Sequence, residues 1–560
     1  MLTNEVADVV VGVARMDEFE GHAFSVGPMG IRVGFAFQQE RALNLVLAMH
    51  IKGMLSETKE IAIVGGGLAG AMVKLALHGL GYPQATLFEP TSGPMTMQRS
   101  ADHRVIHPCY NNWPMVDRFD PTTNFPFMNW HTDNCGQVAN ALVDQWAGYR
   151  PVLVPARTAS VHEALLVKGG VGRPAFVRLR ESDGTELGTF DLVIFATGFG
   201  DEVDLQASDS GSYWDGDGIA NFRDKAGPGR GYVSGIGDGG LIDFVRLCCN
   251  ERRIKCSLPI AVISMLRHQN YSELARLGDD PKFVLSFWER RIRAIETTAA
   301  EMLPETPVIS TPRLWAGSPL ENDIADFLHE GYAKIVRSLP PEVCDFIDET
   351  LVDVPRMGII GHLSHPYSCT TAPINKLLVA YILAKNPGSY VRGHLEIAGG
   401  DVSLVRHATP GDREALKEED LIVVRHGANP PVYAFSGSFK VRNAGLSRAP
   451  ANLTDVDRGG TRFCDNLRRV ANDDPGSTGF LALRKKEAIA FSKQYLGVKP
   501  YVREPTETSP PRFEVNSKHP DFRGPEAGRR LGGFPRSIFG IPLVAAPPKK
   551  GRSATRRLAS

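Results

Sequence analysis

Glu60-Ile61-Ala62-Ile63-Val64-Gly65-Gly66-Gly67-Leu68-Ala69-Gly70-Ala71-Met72-Val73-Lys74-Leu75-Ala76-Leu77-His78 is the stretch whose reading decides the fold. Ile61 to Val64 is a short uninterrupted apolar run, as a strand buried on both faces of a parallel sheet requires. The glycines from Gly65 to Gly70 make a turn, and Ala71 to His78 reads as a helix. Gly65 permits a sharp reversal, Gly67 keeps side-chain bulk away from an approaching pyrophosphate, and Gly70 lets the helix pack closely on the strand. The helix start then offers free N–H groups and the positive end of its dipole to phosphate oxygens. Gly65, Gly67, Leu68, Ala69 and Gly70 are therefore the first candidate cofactor contacts.

The next strand adds weight to this pattern. Ala85-Thr86-Leu87-Phe88 is a second apolar segment and ends in Glu89, where a carboxylate can accept both hydroxyls of an adenosine ribose. A 2′-phosphate at the same place would face like charge. The expected ligand at this turn is FAD or NAD rather than NADP.

Composition excludes several classes. The 560 residues carry 63 basic and 63 acidic side chains, so no overall field draws the chain to nucleic acid or an anionic membrane. No apolar run reaches the roughly 18 residues that span a bilayer, and the N-terminus has no basic-then-apolar leader. A cytoplasmic protein with no membrane contact is expected. Eight cysteines without a Cys-x-x-Cys pair point to neither a disulfide scaffold nor a metal site. They also supply no dithiol of the kind a disulfide reductase needs beside its flavin.

Residues 1–57 read as an N-terminal extension that packs on the core, with a helix from Gln38 to Met54. Past Glu89 comes a polar stretch, Gln98-Arg99-Ser100-Ala101-Asp102-His103-Arg104-Val105-Ile106-His107, suited to lining a cleft or to forming an ordered loop. Arg99 and Arg104 are candidates to neutralise phosphate or substrate carboxylate, and Arg99 is placed with the cofactor. His107 is the candidate for proton transfer, because imidazole titrates near neutrality, with Arg104 beside it as the second catalytic candidate. Alternating apolar segments around Ser160–Val167 and Ala175–Arg180, the Asp183-Gly184 turn, and a return over Thr189–Thr197 then read as a β-meander.

That meander ends in Asp191-Leu192-Val193-Ile194-Phe195-Ala196-Thr197-Gly198, a buried strand closing in small residues. Tyr232-Val233-Ser234-Gly235-Ile236-Gly237-Asp238-Gly239-Gly240 is again strand, glycine turn and helix start, and it is expected to address the same pyrophosphate. The three segments together resemble the glutathione-reductase-like superfamily of FAD/NAD(P)-binding flavoproteins, in the type with a single dinucleotide domain. The resemblance covers about residues 58–250. It implies that the first turn holds the ADP half of FAD, that Thr197 and Gly198 close over the cofactor, and that Gly237, Asp238 and Gly239 meet the ribityl chain. Lys74 departs from the pattern, since the family has a small residue there. No second nucleotide motif lies between the first turn and Thr197, so a dedicated NAD(P)H domain is not expected.

The rest of the chain reads as a mostly helical second domain over 251–500, with apolar stripes over Pro281–Leu303 and Asn322–Leu339 and a small β region near 390–440. Ser364 to Pro373 is polar and precedes a helix from Ile374, and it is suited to capping that helix or, as the alternative, to supplying substrate contacts facing the flavin. Leu421-Ile422-Val423-Val424-Arg425-His426-Gly427 and Val405-Arg406-His407 read as two strand ends. Residues 501–560 are rich in Pro and Gly, with a basic end, and are expected to be a mobile tail.

The expected architecture is thus α/β, a Rossmann-like three-layer FAD domain with a mostly helical partner. The expected activity is FAD-dependent oxidoreduction of a small organic substrate by an oxidase, dehydrogenase or monooxygenase, with no metal and with either oxygen or a transiently bound NAD(P)H co-substrate on the other side of the flavin. The competing class is a non-catalytic or sensing nucleotide-binding module that docks a partner through its helical half.

Overall fold

The computed structural model describes residues 4–27, 34–82, 84–91, 95, 97–114, 119, 121–123, 125, 127–149, 156–170, 174–200, 213–214, 218–224, 227–254, 256–268, 286–303, 319–352, 356–398, 401–407, 411–427 and 430–439, with short strands between 501 and 545. Its first sheet contains β1 (Ala23–Ser25), β2 (Ile61–Val64), β3 (Thr86–Glu89), β6 (Ala156–Thr158) and β10 (Leu192–Phe195). β4 (Val105–Ile106) and β5 (Asp133–Asn134) form a small ladder of their own. The order β1-β10-β2-β3-β6 is parallel throughout. β2 and β10 are buried at every position, which is why both are unbroken apolar runs. This is a Rossmann-type α/β fold.

Helices α1 (Asn4–Ala14), α2 (Phe35–Ile51), α3 (Leu68–Gly79) and α4 (Cys135–Gly148) cover one face of that sheet. The meander β7 (Glu163–Val167), β8 (Phe176–Arg180) and β9 (Glu186–Phe190) covers the other, where Phe88, Phe190 and Phe195 interlock. The N-terminal segment does more than pack on this unit, because β1 adds an edge strand in register with β10. Lys74 is fully buried on α3, and its Nζ donates to the Ala85 carbonyl.

The second unit differs most from expectation. β11 (Gly231–Ser234) does not join the sheet of β2. It lies in a six-stranded sheet with β12 (Met357–Gly361), β13 (Tyr390–Ala398), β14 (Asp401–Arg406), β15 (Arg413–Ala415) and β16 (Leu421–Val424), ordered β15-β14-β13-β12-β11-β16. The four strands β13-β12-β11-β16 are parallel, and β14 and β15 continue antiparallel. The short helix α5 (Ile219–Asp224) precedes β11. Helices α6 (Asp238–Cys248), α7 (Leu258–His268), α8 (Phe287–Glu301), α9 (Pro319–Arg337), α10 (Pro341–Thr350) and α11 (Pro373–Lys385) build a large apolar core with this sheet. Ser286 and Glu289 form a reciprocal capping box at the start of α8.

Tyr501–Arg503, Arg512–Val515, Ser537–Ile538 and Ile541–Ala545 form a four-stranded sheet. The basic end, Lys549 to Arg557, lies outside the described residues. Among the described residues, no helix is long and apolar enough to cross a membrane.

Candidate functional site

Two glycine turns sit at equivalent places in the two sheets. In the first, Gly65 N–H donates to Phe88 O and Ala196 N–H to Val64 O, at 2.8 and 2.7 Å. In the second, Gly235 N–H donates to Ile360 O and Arg425 N–H to Ser234 O, at 3.0 and 2.7 Å. This common bonding pattern equates Val64 with Ser234, Phe88 with Ile360 and Ala196 with Arg425. By continuation it equates Glu89 with Gly361, Thr197 with His426, and Gly198 with Gly427.

The glycines obey the same steric logic in both turns. Gly65 and Gly235 hold φ of +103° and +127°, a region that side chains rarely adopt. A Cβ on Gly70 or Gly240 would lie 1.8 or 2.0 Å from the carbonyl oxygen of Gly65 or Gly235, so the helix reaches its seat only without one. The middle glycines, Gly67 and Gly237, would meet nothing within 4 Å. They precede α3 and α6 in extended conformation, with the helix N–H groups open beyond them. The sequence contained this repeat as Gly65-x-Gly67-x-x-Gly70 and Gly235-x-Gly237-x-x-Gly240.

At the first turn, Glu89 Oε2 accepts from Gly66 N–H at 2.6 Å, and Oε1 accepts from the backbone N–H and hydroxyl of Thr91. The carboxylate is thus fixed against the glycine turn at the end of β3. Thr197 Oγ1 is buried without a hydrogen-bond partner among the described residues, and Gly198 comes next with φ +71°. An unsatisfied hydroxyl beside an open glycine turn fits a polar ligand there.

A cavity of about 780 Å³ lies over the second turn and extends to Phe35 on α2 and to Phe199 and Gly200 after β10. Its floor is a charge cluster that sequence reasoning missed. Asp243 is fully buried and accepts from Arg104 Nη1 and Nη2 at 2.9 and 3.1 Å, from Arg246 Nη1 at 2.8 Å, and from Arg425 Nε at 2.7 Å. Burial pushes the Asp243 carboxyl up, but Arg104, Arg246 and Arg425 together hold it far below the usual carboxylate range. Three guanidinium groups therefore share one carboxylate, and all three line the cavity. Arg104 also stacks over the Tyr213 ring with Cζ 3.4 Å from the centroid.

The remaining candidates separate. Arg99 donates from Nε to Asn140 on α4 at 3.0 Å. His107 lines the cavity, stacks on Phe119 with centroids 3.9 Å apart, and its Nδ1 accepts from Cys109 N–H. Gly237, Asp238 and Gly239 belong to the second sheet's turn rather than to the sheet of Gly67 and Glu89, a correction to the expected single site. Asp238 Oδ1 accepts from Ala372 N–H at 2.6 Å and from Asn375 Nδ2 at 3.0 Å. It thereby holds the start of α11, where Ala372 has no capping side chain. Ser234 Oγ and His426 Nε2 lie 2.8 Å apart at the cavity wall. Burial, then His362, keep His426 below its ordinary value.

No protein-family model and no curated protein matches the chain. Among solved structures, the lysine monooxygenase NbtG from Nocardia farcinica, described as having an unprecedented NADPH domain conformation, aligns with 66% of this chain and 80% of its own. The two share 11% identity at a TM-score of 0.27.

Proposed function

We propose that the chain is an FAD-dependent oxidoreductase, with FAD at the first glycine turn, a nicotinamide dinucleotide at the second, and a small organic substrate in the part of the cavity that reaches from the second turn to Phe35, Phe199 and Gly200. The observation that carries this reading is the pair of equivalent turns, each presenting a helix start at the C-terminal edge of a parallel sheet, where dinucleotides bind. FAD, when bound, supplies hydride and electron exchange at its ring system.

The chain's own residues bind and orient. Glu89 would take the adenosine ribose of FAD, the turn from Gly65 to Gly70 its pyrophosphate, and Thr197 with Gly198 its polar backbone. Arg425 and Arg246 would add positive charge to the α6 start at the second pyrophosphate. Tyr213 walls the second turn, since a Cβ on Gly239 would lie 3.3 Å from its ring. His107 and His426, both on the cavity wall, are the groups placed to hold or accept a proton. The second turn favours a reaction fed by NAD(P)H over a simple oxidase.

The test is optical. Purified protein, reconstituted with FAD if necessary, should be yellow and should bleach anaerobically on addition of NADH or NADPH. Protein that takes up FAD but is not reduced by either nucleotide would favour the non-catalytic, sensing module. Protein that takes up no FAD would remove the proposal.

A further inference from the structure

The ribose corners of the two turns carry opposite charge. In the first, Glu89 stands at the end of β3, opposite Thr158 on β6. In the second, the equivalent position is Gly361, opposite Arg392 on β13. An acid is excluded at Gly361 by packing, because a Cβ there would lie 2.4 Å from Ile236 Cγ2. His362 comes directly after Gly361, and Arg392 Nε donates to its carbonyl oxygen at 3.3 Å. His394 lies two residues further along β13, with Nδ1 2.8 Å from Nε2 of His407. Burial, then His394, Arg392 and His362, hold the His407 imidazole below its ordinary value, which places all four groups in one field. Carboxylates reach this edge from two sides. Glu321 stands 3.9 Å from His362, and Glu396 is paired with Arg413.

We infer that the second turn takes a dinucleotide whose adenosine ribose carries a 2′-phosphate, the NADP class, and discriminates against NAD, with Arg392 as the principal specificity residue. This rests on the reading of the second turn as a nicotinamide dinucleotide site. A phosphate dianion would find the Arg392 guanidinium and imidazole N–H donors beside the position where the first turn has a carboxylate, whereas plain ribose hydroxyls would leave the Arg392 charge without a phosphate to pair with.

The experiment is a titration of the FAD-loaded full-length chain with NADPH and with NADH, monitored by nucleotide fluorescence, with 2′,5′-ADP as competitor. NADPH should bind about tenfold or more tightly than NADH, and 2′,5′-ADP should displace it. Arg392→Gln, at a position on β13, should weaken NADPH by a similar factor and leave NADH unchanged; His394→Gln should act in the same direction with smaller effect. Equal affinity for both nucleotides, or an Arg392→Gln variant that weakens both alike, would overturn the inference while leaving the second site standing. Binding of neither nucleotide would overturn the inference together with the reading beneath it.

Discussion

Replacing Asp243 with Asn should be among the most damaging single changes in the second unit. The carboxylate accepts four charge-assisted hydrogen bonds from three guanidinium groups, and it is fully buried. Asparagine keeps the shape but loses the charge, and its amide turns a donor toward groups that only donate. Removing one partner from a buried ionic network costs about 3–5 kcal/mol, because the charges left behind stay out of water. For a unit of this size that corresponds to a fall of roughly 10 °C in the unfolding midpoint. The pH dependence carries its own sign. A carboxyl held far below its unfolded value contributes stability that is present above about pH 4 and is lost as pH falls further, so the gap between Asn and Asp should narrow in acid. Differential scanning calorimetry from about pH 2 to 7.5, with the transition of the second unit assigned by nucleotide addition, measures both effects. A variant melting within a degree or so of the parent at neutral pH would refute the assignment of Asp243 as the charge that holds Arg104, Arg246 and Arg425 together.

The same geometry sets further outcomes. Gly70→Ala and Gly240→Ala should each lift a helix start off its strand by more than an ångström and cost about 1–3 kcal/mol, read as weaker FAD and weaker nicotinamide-nucleotide binding respectively. Asp238→Ala should release the start of α11, costing about 1 kcal/mol in unfolding and weakening the nicotinamide nucleotide, while FAD content measured by absorbance stays at the parental value. Lys74 is buried and pushed down to about 8 by desolvation. Between about pH 8 and 10 the unfolded chain holds that proton and the folded chain does not, so stability should rise with pH by up to roughly 3 kcal/mol from this group. Lys74→Met, compared with the parent by urea unfolding at about pH 7.5 and 9.5, should abolish that rise.

The legible parts of the chain are those written in local pattern. β2, α3 and β3 show their period, their glycines and their acid within about thirty residues, and β10 is an apolar run ending in small residues. Membership of a sheet is not local. Gly231 to Ser234 reads as a buried strand whichever sheet receives it, and its partners β12 and β16 lie far downstream, so pattern alone could not separate the second turn from the first sheet. The spacing of Gly235, Gly237 and Gly240 is a readable signal, as is the placing of Val424-Arg425-His426-Gly427 after a strand, the counterpart of Phe195-Ala196-Thr197-Gly198. β1 spans three residues, too few for periodicity to show. Asp243 cannot be singled out from sequence, because Arg104 and Arg425 come from segments more than a hundred residues away on either side and meet it only in the folded chain.

Each chain is expected to hold two separate dinucleotide turns, and ligand stoichiometry in Gly67→Glu and Gly237→Glu tests this most directly. Both positions have φ near those of ordinary residues and open space where a side chain would point, so the substitutions block ligand without clashing with the protein. Equilibrium dialysis should give one FAD and one nicotinamide dinucleotide per parental chain, with only FAD lost in Gly67→Glu and only the nicotinamide nucleotide lost in Gly237→Glu. Loss of the same ligand from both variants would mean that the two turns serve one molecule, and would contradict the two-site reading outright.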